Sequence, residues 1–187
     1  MKINLPNLLI VFRILLIPVF LFFLLNAGPG ESTYRLVAMI VFLAASVTDF
    51  FDGYLARKWG TVSNFGKLMD PLADKMLVCA AMIALVYRQE LAAWVVVVVV
   101  CREFWVTALR QLALEQGQKV IAASIWGKTK TVLQIVMLTT LMAGLGTEEL
   151  FGQWGNTVAM ILVYLAVIAT VLSAAEYTRS YKEVFRP

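Results

Sequence analysis

Residues 49–74 have the sequence DFFDGYLARKWGTVSNFGKLMDPLAD, which contains all four aspartates of the 187-residue chain: Asp49, Asp52, Asp70 and Asp74. Long apolar runs adjoin this stretch. An aspartate near the centre of a bilayer costs about 2.5 to 3.5 kcal/mol on insertion scales, so four such residues would cost roughly 10 to 14 kcal/mol if nothing neutralised them. We therefore expect a cation to neutralise the cluster, and a divalent metal is the obvious candidate.

The composition predicts an all-α integral membrane protein. Apolar residues make up 61% of the chain, and its mean hydropathy is +0.81. Several apolar stretches approach the roughly 20 residues that cross a bilayer. We expect one domain over residues 1–187, without a cleavable signal because the first apolar run is too long for one and contains Arg13. Six transmembrane helices are predicted, at 7–25, 36–56, 68–87, 91–109, 131–145 and 157–175.

The charges predict how these helices are oriented. The excess of four positive charges is modest for nucleic-acid binding, so we expect no nucleic-acid partner. Lysine and arginine mark the cytoplasmic ends of transmembrane helices. A polar, glycine-rich loop from Gly144 to Gly155 is expected on the opposite side, together with Arg35 and Arg88. Both termini and the aspartate cluster are therefore predicted to face the cytoplasm, on the side of Lys2, Arg57, Lys58, Lys67, Lys75, Arg110, Lys119, Lys128, Lys130, Arg179, Lys182 and Arg186.

The spacing of the aspartates predicts a site for two metal ions. Asp49 and Asp52 are three residues apart and Asp70 and Asp74 four apart, so each pair projects from one face of its helix. Two hard divalent cations such as Mg²⁺ or Mn²⁺ would neutralise all four carboxylates. A pair of such metals about 3.5 to 4 Å apart acts as a clamp in phosphoryl transfer. The chain has no histidine, so a general base is expected to be a carboxylate.

The neighbours of the aspartates suit a phosphate ligand. Gly53, Ala56 and Gly66 each lie within about one helical turn of an aspartate, and small residues leave room for a ligand to reach the metals. Arg57 places a permanent cation beside the site, suited to bidentate contact with phosphate. Small residues also serve helix packing, and Arg57 and Lys58 also suit positive-inside anchoring. Taken singly, Gly66 and Lys58 fit those structural roles better.

The stretch from Asp49 to Asp74 resembles the signature of the CDP-alcohol phosphotransferase family. It matches the pattern D-x2-D-G-x2-A-R-x8-G-x3-D-x3-D at all eight fixed positions. The resemblance implies the six-helix membrane fold of that family, a homodimer, and transfer of a phosphate-linked group from a CDP-linked lipid to an alcohol with release of CMP. By the same resemblance Asp49, Asp52, Asp70 and Asp74 hold two metals, and Asp74 is also the general base.

Further roles follow from the same resemblance. Gly53 and Arg57 match positions that hold the CDP moiety, and Ser63 lies where the family often has a hydroxyl for the nucleotide. The opening residues and the stretches around 102–110 and 127–131 are similar to bacterial phosphatidylglycerophosphate synthases, although Ile10 stands where that subfamily often has threonine. We thus expect CDP-diacylglycerol and glycerol 3-phosphate as substrates in the bacterial inner membrane, with a CDP-lipid site formed by Asn7, Arg13, Gly53, Ala56, Arg57, Ser63 and Gly66.

An anionic acceptor also follows from the basic residues. Arg102 lies inside an apolar segment, where a lone cation is costly unless it meets an anion. Its sequence neighbour Glu103 points elsewhere on a helix, so we expect it to be a poor partner. We expect Arg102, Arg110, Lys128 and Lys130 to converge on the phosphate of glycerol 3-phosphate, although Arg110 and Lys130 also suit positive-inside anchoring.

Three alternatives stay open at this point. A sibling enzyme would use the same CDP half with another acceptor, such as inositol phosphate, serine or phosphatidylglycerol. A divalent-cation transporter would also place acids in the membrane, but its site is expected near the midplane, without an adjacent arginine that repels cations. A catalytically dead homologue is the third alternative, and no fixed position of the motif is degraded in its favour.

Overall fold

The described part of the chain, in a computed structural model, contains six α-helices in the order expected from the sequence. The structure describes residues 5–28, 31–59, 64–117, 124–145 and 148–182, with side chains described throughout these ranges except at 5–7, 49–59, 64–68, 70, 71 and 148–151. No β-strand occurs in the described ranges. The helices are α1 (Leu5–Asn26), α2 (Ser32–Trp59), α3 (Asn64–Tyr87), α4 (Ala93–Glu115), α5 (Ile125–Met142) and α6 (Glu148–Ser180).

The prediction of a loop from Gly144 to Gly155 is wrong for most of these residues. Gly144 ends α5 with a φ of 85°, a backbone conformation that favours glycine, but α6 already begins at Glu148. Gly152 has a φ of 57° and a ψ of −155° and kinks this helix, which then continues to Ser180. Acidic residues are favourable at a helix N-terminus, so Glu148 and Glu149 support a helical turn where their polarity had indicated a loop.

One apolar core joins the helices. Phe20 of α1 and Phe42 of α2 are fully buried and meet edge to face, with ring centroids 5.9 Å apart. Leu77 and Leu85 of α3 extend this core, and Val95 of α4 joins it. A second buried cluster joins α4 to the end of α6 and consists of Val106, Leu109, Ala113, Tyr177 and Tyr181. The second cluster lies beside the polar residues described below.

The outer surface of the bundle is apolar, as expected for a membrane protein. Large hydrophobic side chains such as Phe22, Ile83 and Phe104 are well exposed on α1, α3 and α4. Exposed apolar area on this scale marks contact with lipid or protein rather than water. By length and composition alone, two described helices are able to cross a membrane, Leu8–Asn26 and Gly152–Ser180. The prediction of six helices is confirmed, whereas the crossing of a membrane by all six stays a prediction.

Candidate active site

The helix bounds place the two aspartate pairs at matching depths. Asp52 lies seven residues before the end of α2, and Asp70 lies six residues after the start of α3. Asp49 and Asp74 each lie ten residues from the same two ends. At 1.5 Å per residue these positions are about 10 Å and about 15 Å from the end of α2 or the start of α3, and the two helices pack against each other. The helix bounds therefore place the four aspartate positions in two pairs at similar depths, and four carboxylates in such an arrangement would fit Mg²⁺ or Mn²⁺.

Most of the predicted CDP-lipid residues fall where side chains are not described. Ser63 lies outside the described residues, and so do the side chains of Asn7, Ala56 and Arg57. The same holds for the side chains of three of the four aspartates, Asp49, Asp52 and Asp70. Gly53 and Gly66 lie in α2 and α3. Arg13, in contrast, is completely buried in α1, an unusual position for an arginine without a functional or structural anion.

Asp74 is half-buried and lines a narrow cavity between α3, α4 and α5. The cavity has a volume of about 20 Å³, and its polar lining includes Glu103, Lys130, Thr131 and Gln134. A cavity of this size holds about one water molecule. The predicted general base and one predicted phosphate-binding lysine therefore share a single small space.

Glu103 joins two of the predicted acceptor-binding cations. Its Oε1 accepts a hydrogen bond of 2.8 Å from Nη1 of Arg102 and another from Nζ of Lys130. The expectation that Glu103 is a poor partner for Arg102 is therefore wrong. Adjacent residues of a helix point in different directions, but the side chains of Arg102 and Glu103 are long enough to meet. They meet beside α5, where Lys130 also reaches Glu103. We call Arg102, Glu103 and Lys130 the Glu103 cluster.

The Glu103 cluster is anchored to α6 by a line of small polar side chains. Arg102 donates from Nη2 to the hydroxyl of Ser173. Lys130 donates to Oε1 of Gln134 at 3.3 Å, and Gln134 donates in turn to the hydroxyl of Thr170 at 3.2 Å. Three helices thus hold one network, and Arg102, Lys130 and Gln134 are all buried within it.

Arg110 joins a neighbouring contact set around Tyr177. Its Nη2 donates to the Tyr177 hydroxyl at 2.7 Å. The guanidinium carbons of Arg110 and Arg102 lie 5.1 and 5.5 Å from the centroid of the Tyr177 ring. Lys128 is exposed at the start of α5 and lies outside the hydrogen-bond network of the described side chains. The structure therefore brings Arg102, Arg110 and Lys130 together and leaves Lys128 apart.

Sequence reasoning missed the polar residues of α6. Thr170, Ser173 and Tyr177 follow one another at intervals of three and four residues, so they lie on one helical face. That spacing in an otherwise apolar segment was an available signal, because polar side chains in a membrane helix face the protein interior. All three are buried, and they contact the network of Arg102, Gln134 and Arg110.

Comparison with known proteins supports the motif. Residues 3–172 match the model of the CDP-alcohol phosphatidyltransferase family. The chain is 41% identical over 183 residues to CDP-diacylglycerol–glycerol-3-phosphate 3-phosphatidyltransferase of Bacillus subtilis, covering 93% of each chain. It is 37% identical over 188 residues to the Haemophilus influenzae protein of that name, covering 97% of this chain and 95% of the relative. A probable phosphatidylglycerophosphate synthase of Mycobacterium tuberculosis is 38% identical over 174 residues, 93% of this chain and 79% of the relative.

Proposed function

The chain belongs to the CDP-alcohol phosphatidyltransferase family, and from that membership we propose that it transfers the phosphatidyl group of CDP-diacylglycerol to sn-glycerol 3-phosphate, giving phosphatidylglycerophosphate and CMP. The observation that carries the proposal is the cavity shared by Asp74 and Lys130. One residue there suits proton transfer and the other suits an anionic acceptor. The names of the relatives agree with this choice of acceptor.

Asp74 acts as the general base in this proposal. Its carboxylate accepts the proton of the free terminal hydroxyl of glycerol 3-phosphate as that oxygen attacks the β-phosphorus of CDP-diacylglycerol. The bond between the β-phosphorus and the oxygen bridging to the α-phosphate breaks, and CMP leaves with that oxygen. A positioned base contributes about 10²- to 10⁴-fold to such a step.

In this proposal Asp49, Asp52, Asp70 and Asp74 would hold two divalent metal ions, Mg²⁺ or Mn²⁺. When bound, such ions would supply stabilisation of the negative charge that develops during phosphoryl transfer. Gly53, Ala56 and Gly66 leave space for the nucleotide beside them. Arg57, Arg13, Asn7 and Ser63 complete the proposed CDP-lipid site.

The acceptor phosphate lies against the basic residues. In this proposal Lys130 faces it from the cavity, Arg102 adjoins Lys130 through Glu103, and Arg110 and Arg102 both lie near the ring of Tyr177. The exposed Lys128 acts at the entrance, where it attracts the anion from solution. Because Glu103 already pairs with Arg102 and Lys130, the site presents a reduced net positive charge before the phosphate arrives.

The proposal places the enzyme in the bacterial cytoplasmic membrane. All six helices cross the bilayer, and both termini and the aspartate cluster face the cytoplasm. The distribution of lysine and arginine supports this orientation, since the Asp74 end of the bundle carries most of them. A homodimer is part of the proposal through the family resemblance.

A substrate comparison with purified protein tests the proposed reaction. The protein is incubated with CDP-diacylglycerol, Mg²⁺ or Mn²⁺, and radiolabelled glycerol 3-phosphate, serine or inositol phosphate in separate reactions. We expect label to enter lipid from glycerol 3-phosphate, with equimolar release of CMP. Label entering lipid only from serine or only from inositol phosphate would overturn the choice of acceptor. Ion flux into liposomes without release of CMP would instead support the transporter alternative.

A further inference from the structure

Tyr177 has a buried hydroxyl that is bound from two other helical elements. The residue lies near the end of α6 and is only 2% exposed. Its hydroxyl accepts a hydrogen bond of 2.7 Å from Arg110 of α4 and one of 3.4 Å from the backbone N–H of Ser124, which caps α5. A buried phenol needs a hydrogen-bond partner. Both partners here belong to the elements that carry the proposed acceptor-binding cations.

The ring of Tyr177 lies close to two guanidinium groups. Arg102 and Arg110 both lie within the distance of about 6 Å at which a cation is attracted to an aromatic ring. Tyr181 stacks on the same residue, with ring centroids 6.4 Å apart and planes 11° apart. The orientation of both arginines therefore depends on one side chain that is itself fixed by packing.

The first turn of α5 also packs closely on Tyr177. A Cβ atom added to Gly127 would lie 3.4 Å from Cε2 of Tyr177 and 3.3 Å from the hydroxyl oxygen of Ser124. The Ser124 side chain accepts a hydrogen bond of 3.0 Å from the N–H of Gly127. Tyr177 thus sets the position at which α5 begins, one turn before Lys130 reaches Glu103.

Two donors near Tyr177 have no hydrogen-bond partner among the described residues. The Nε atoms of Arg102 and Arg110 are buried and make no hydrogen bond in the described part of the chain. Arg102 itself is 8% exposed. Buried donors without partners are rare in folded proteins and call for a ligand or water. A phosphate group offers several acceptor oxygens to such donors.

We propose that Tyr177 is a positioning residue for the acceptor phosphate, acting through Arg102, Arg110 and the start of α5. The inference rests on the proposed function, since it assigns these cations to glycerol 3-phosphate. Tyr177 does not touch the acceptor itself. Its hydroxyl and ring set the direction in which the guanidinium donors point.

The test compares Tyr177→Phe with Tyr181→Phe in the full-length purified protein. The first change removes a hydroxyl and keeps the ring, and the second makes the same change in an equally buried neighbour. For Tyr177→Phe we expect the KM for glycerol 3-phosphate to rise about fivefold, the effect of losing one hydrogen bond of ordinary strength. The KM for CDP-diacylglycerol and kcat should stay within about twofold. Equal changes in both KM values, or the same shift in Tyr181→Phe, would overturn the proposal.

A double-mutant cycle separates positioning from general packing. If Tyr177 acts through Arg110, then Tyr177→Phe should change the KM for glycerol 3-phosphate much less in an Arg110→Ala background than in the wild type. Additive effects on that KM would overturn the proposal.

Measuring the wild-type protein beside Tyr177→Phe separates a failure of the proposed function from a failure of the inference about Tyr177. Failure of the wild-type protein to incorporate glycerol 3-phosphate would overturn the proposed function. An active wild type whose Tyr177→Phe variant has unchanged kinetics would overturn only the inference about Tyr177.

Discussion

At each end of the bundle, one carboxylate forms ion pairs with two cations. Glu103 pairs with Arg102 and Lys130 at the Asp74 end. Glu90 pairs with Arg35 and Arg88 at the other end, and we call these three residues the Glu90 cluster. The two clusters have the same charge composition, and both are largely buried.

The clusters differ in what their remaining donors bind. Arg88 also donates to the carbonyls of Leu24 and Ala27 at 2.9 and 2.8 Å, and Arg35 donates to the carbonyl of Leu141 at 3.4 Å. These bonds satisfy carbonyls at helix ends, so the Glu90 cluster ties the ends of α1 and α5 together. Glu103 and Lys130 of the Glu103 cluster line the Asp74 cavity, and the buried Nε of Arg102 makes no hydrogen bond among the described residues. We therefore expect the same charge composition to serve structure at one end and ligand binding at the other.

Asp74→Asn should have the largest effect on turnover. The change removes the proposed base but leaves the Glu103 and Glu90 clusters intact, so we expect turnover to fall by about 10²- to 10⁴-fold. Release of CMP from CDP-diacylglycerol measures the effect, and the thermal midpoint of the purified variant shows that it folds. Turnover above a tenth of the wild-type value would remove Asp74 as the base.

Glu103→Gln and Glu90→Gln form a matched pair. Without the Glu103 charge, we expect Lys130 to pair with Asp74, the other carboxylate lining its cavity. A free-energy change of about 1.4 to 2.8 kcal/mol would then lower kcat/KM about ten- to hundredfold.

Glu90→Gln should instead lower the thermal midpoint while kcat/KM stays within about twofold, because its arginines keep their carbonyl partners. Equal kinetic losses in the two variants would show that the two clusters do not differ in role. Equal losses of stability with unchanged kinetics in both would lead to the same conclusion.

Arg102→Ala should weaken binding of the acceptor selectively. We expect the KM for glycerol 3-phosphate to rise about tenfold, because a loss of about 1.4 kcal/mol in a substrate contact has that effect. The KM for CDP-diacylglycerol should change less. Arg35→Ala in the Glu90 cluster is the control and should leave both KM values unchanged. Equal rises in both KM values of Arg102→Ala would contradict its assignment to the acceptor phosphate.

Ser173→Ala should have the smallest effect. It removes one hydrogen bond to Arg102, so the KM for glycerol 3-phosphate should rise about two- to fivefold, the effect of roughly 0.5 to 1 kcal/mol. Ser46→Ala is the control, because Ser46 bonds only a carbonyl of its own helix in the described contacts. A selective KM shift in Ser46→Ala as large as that of Ser173→Ala would show that the effect is not specific to Arg102.

Much of the fold was predictable because apolar runs and charged interruptions mark helices directly. The boundaries of α1 to α3 agree with the predicted segments to within about four residues. The loop at 144–155 was mispredicted, since two glutamates and several glycines suggested a loop, whereas a helix tolerates Gly152 as a kink. Local polarity is an ambiguous signal at a helix start, where acidic residues are also favourable.

The sequence predicts the candidate site where its residues form one short motif. Asp49, Asp52, Asp70 and Asp74 lie within 26 consecutive residues, so their helical spacing is visible in the sequence. Glu103 was predicted to be a poor partner for Arg102 because adjacent helix positions diverge, and its second partner, Lys130, lies on another helix 27 residues away. Tyr177 lies 67 residues from Arg110, and no local pattern relates the two.

By itself, the sequence determined the helical membrane character of the chain, its family motif and the aspartates proposed to hold metals. These depend on hydrophobicity and on spacing within one or two helices. Only the tertiary structure decided which cations pair with Glu103 and which of them lie near the ring of Tyr177. It also decided which cluster lies beside Asp74. Those contacts join α4, α5 and α6, and helix packing rather than sequence separation sets the distances between their side chains.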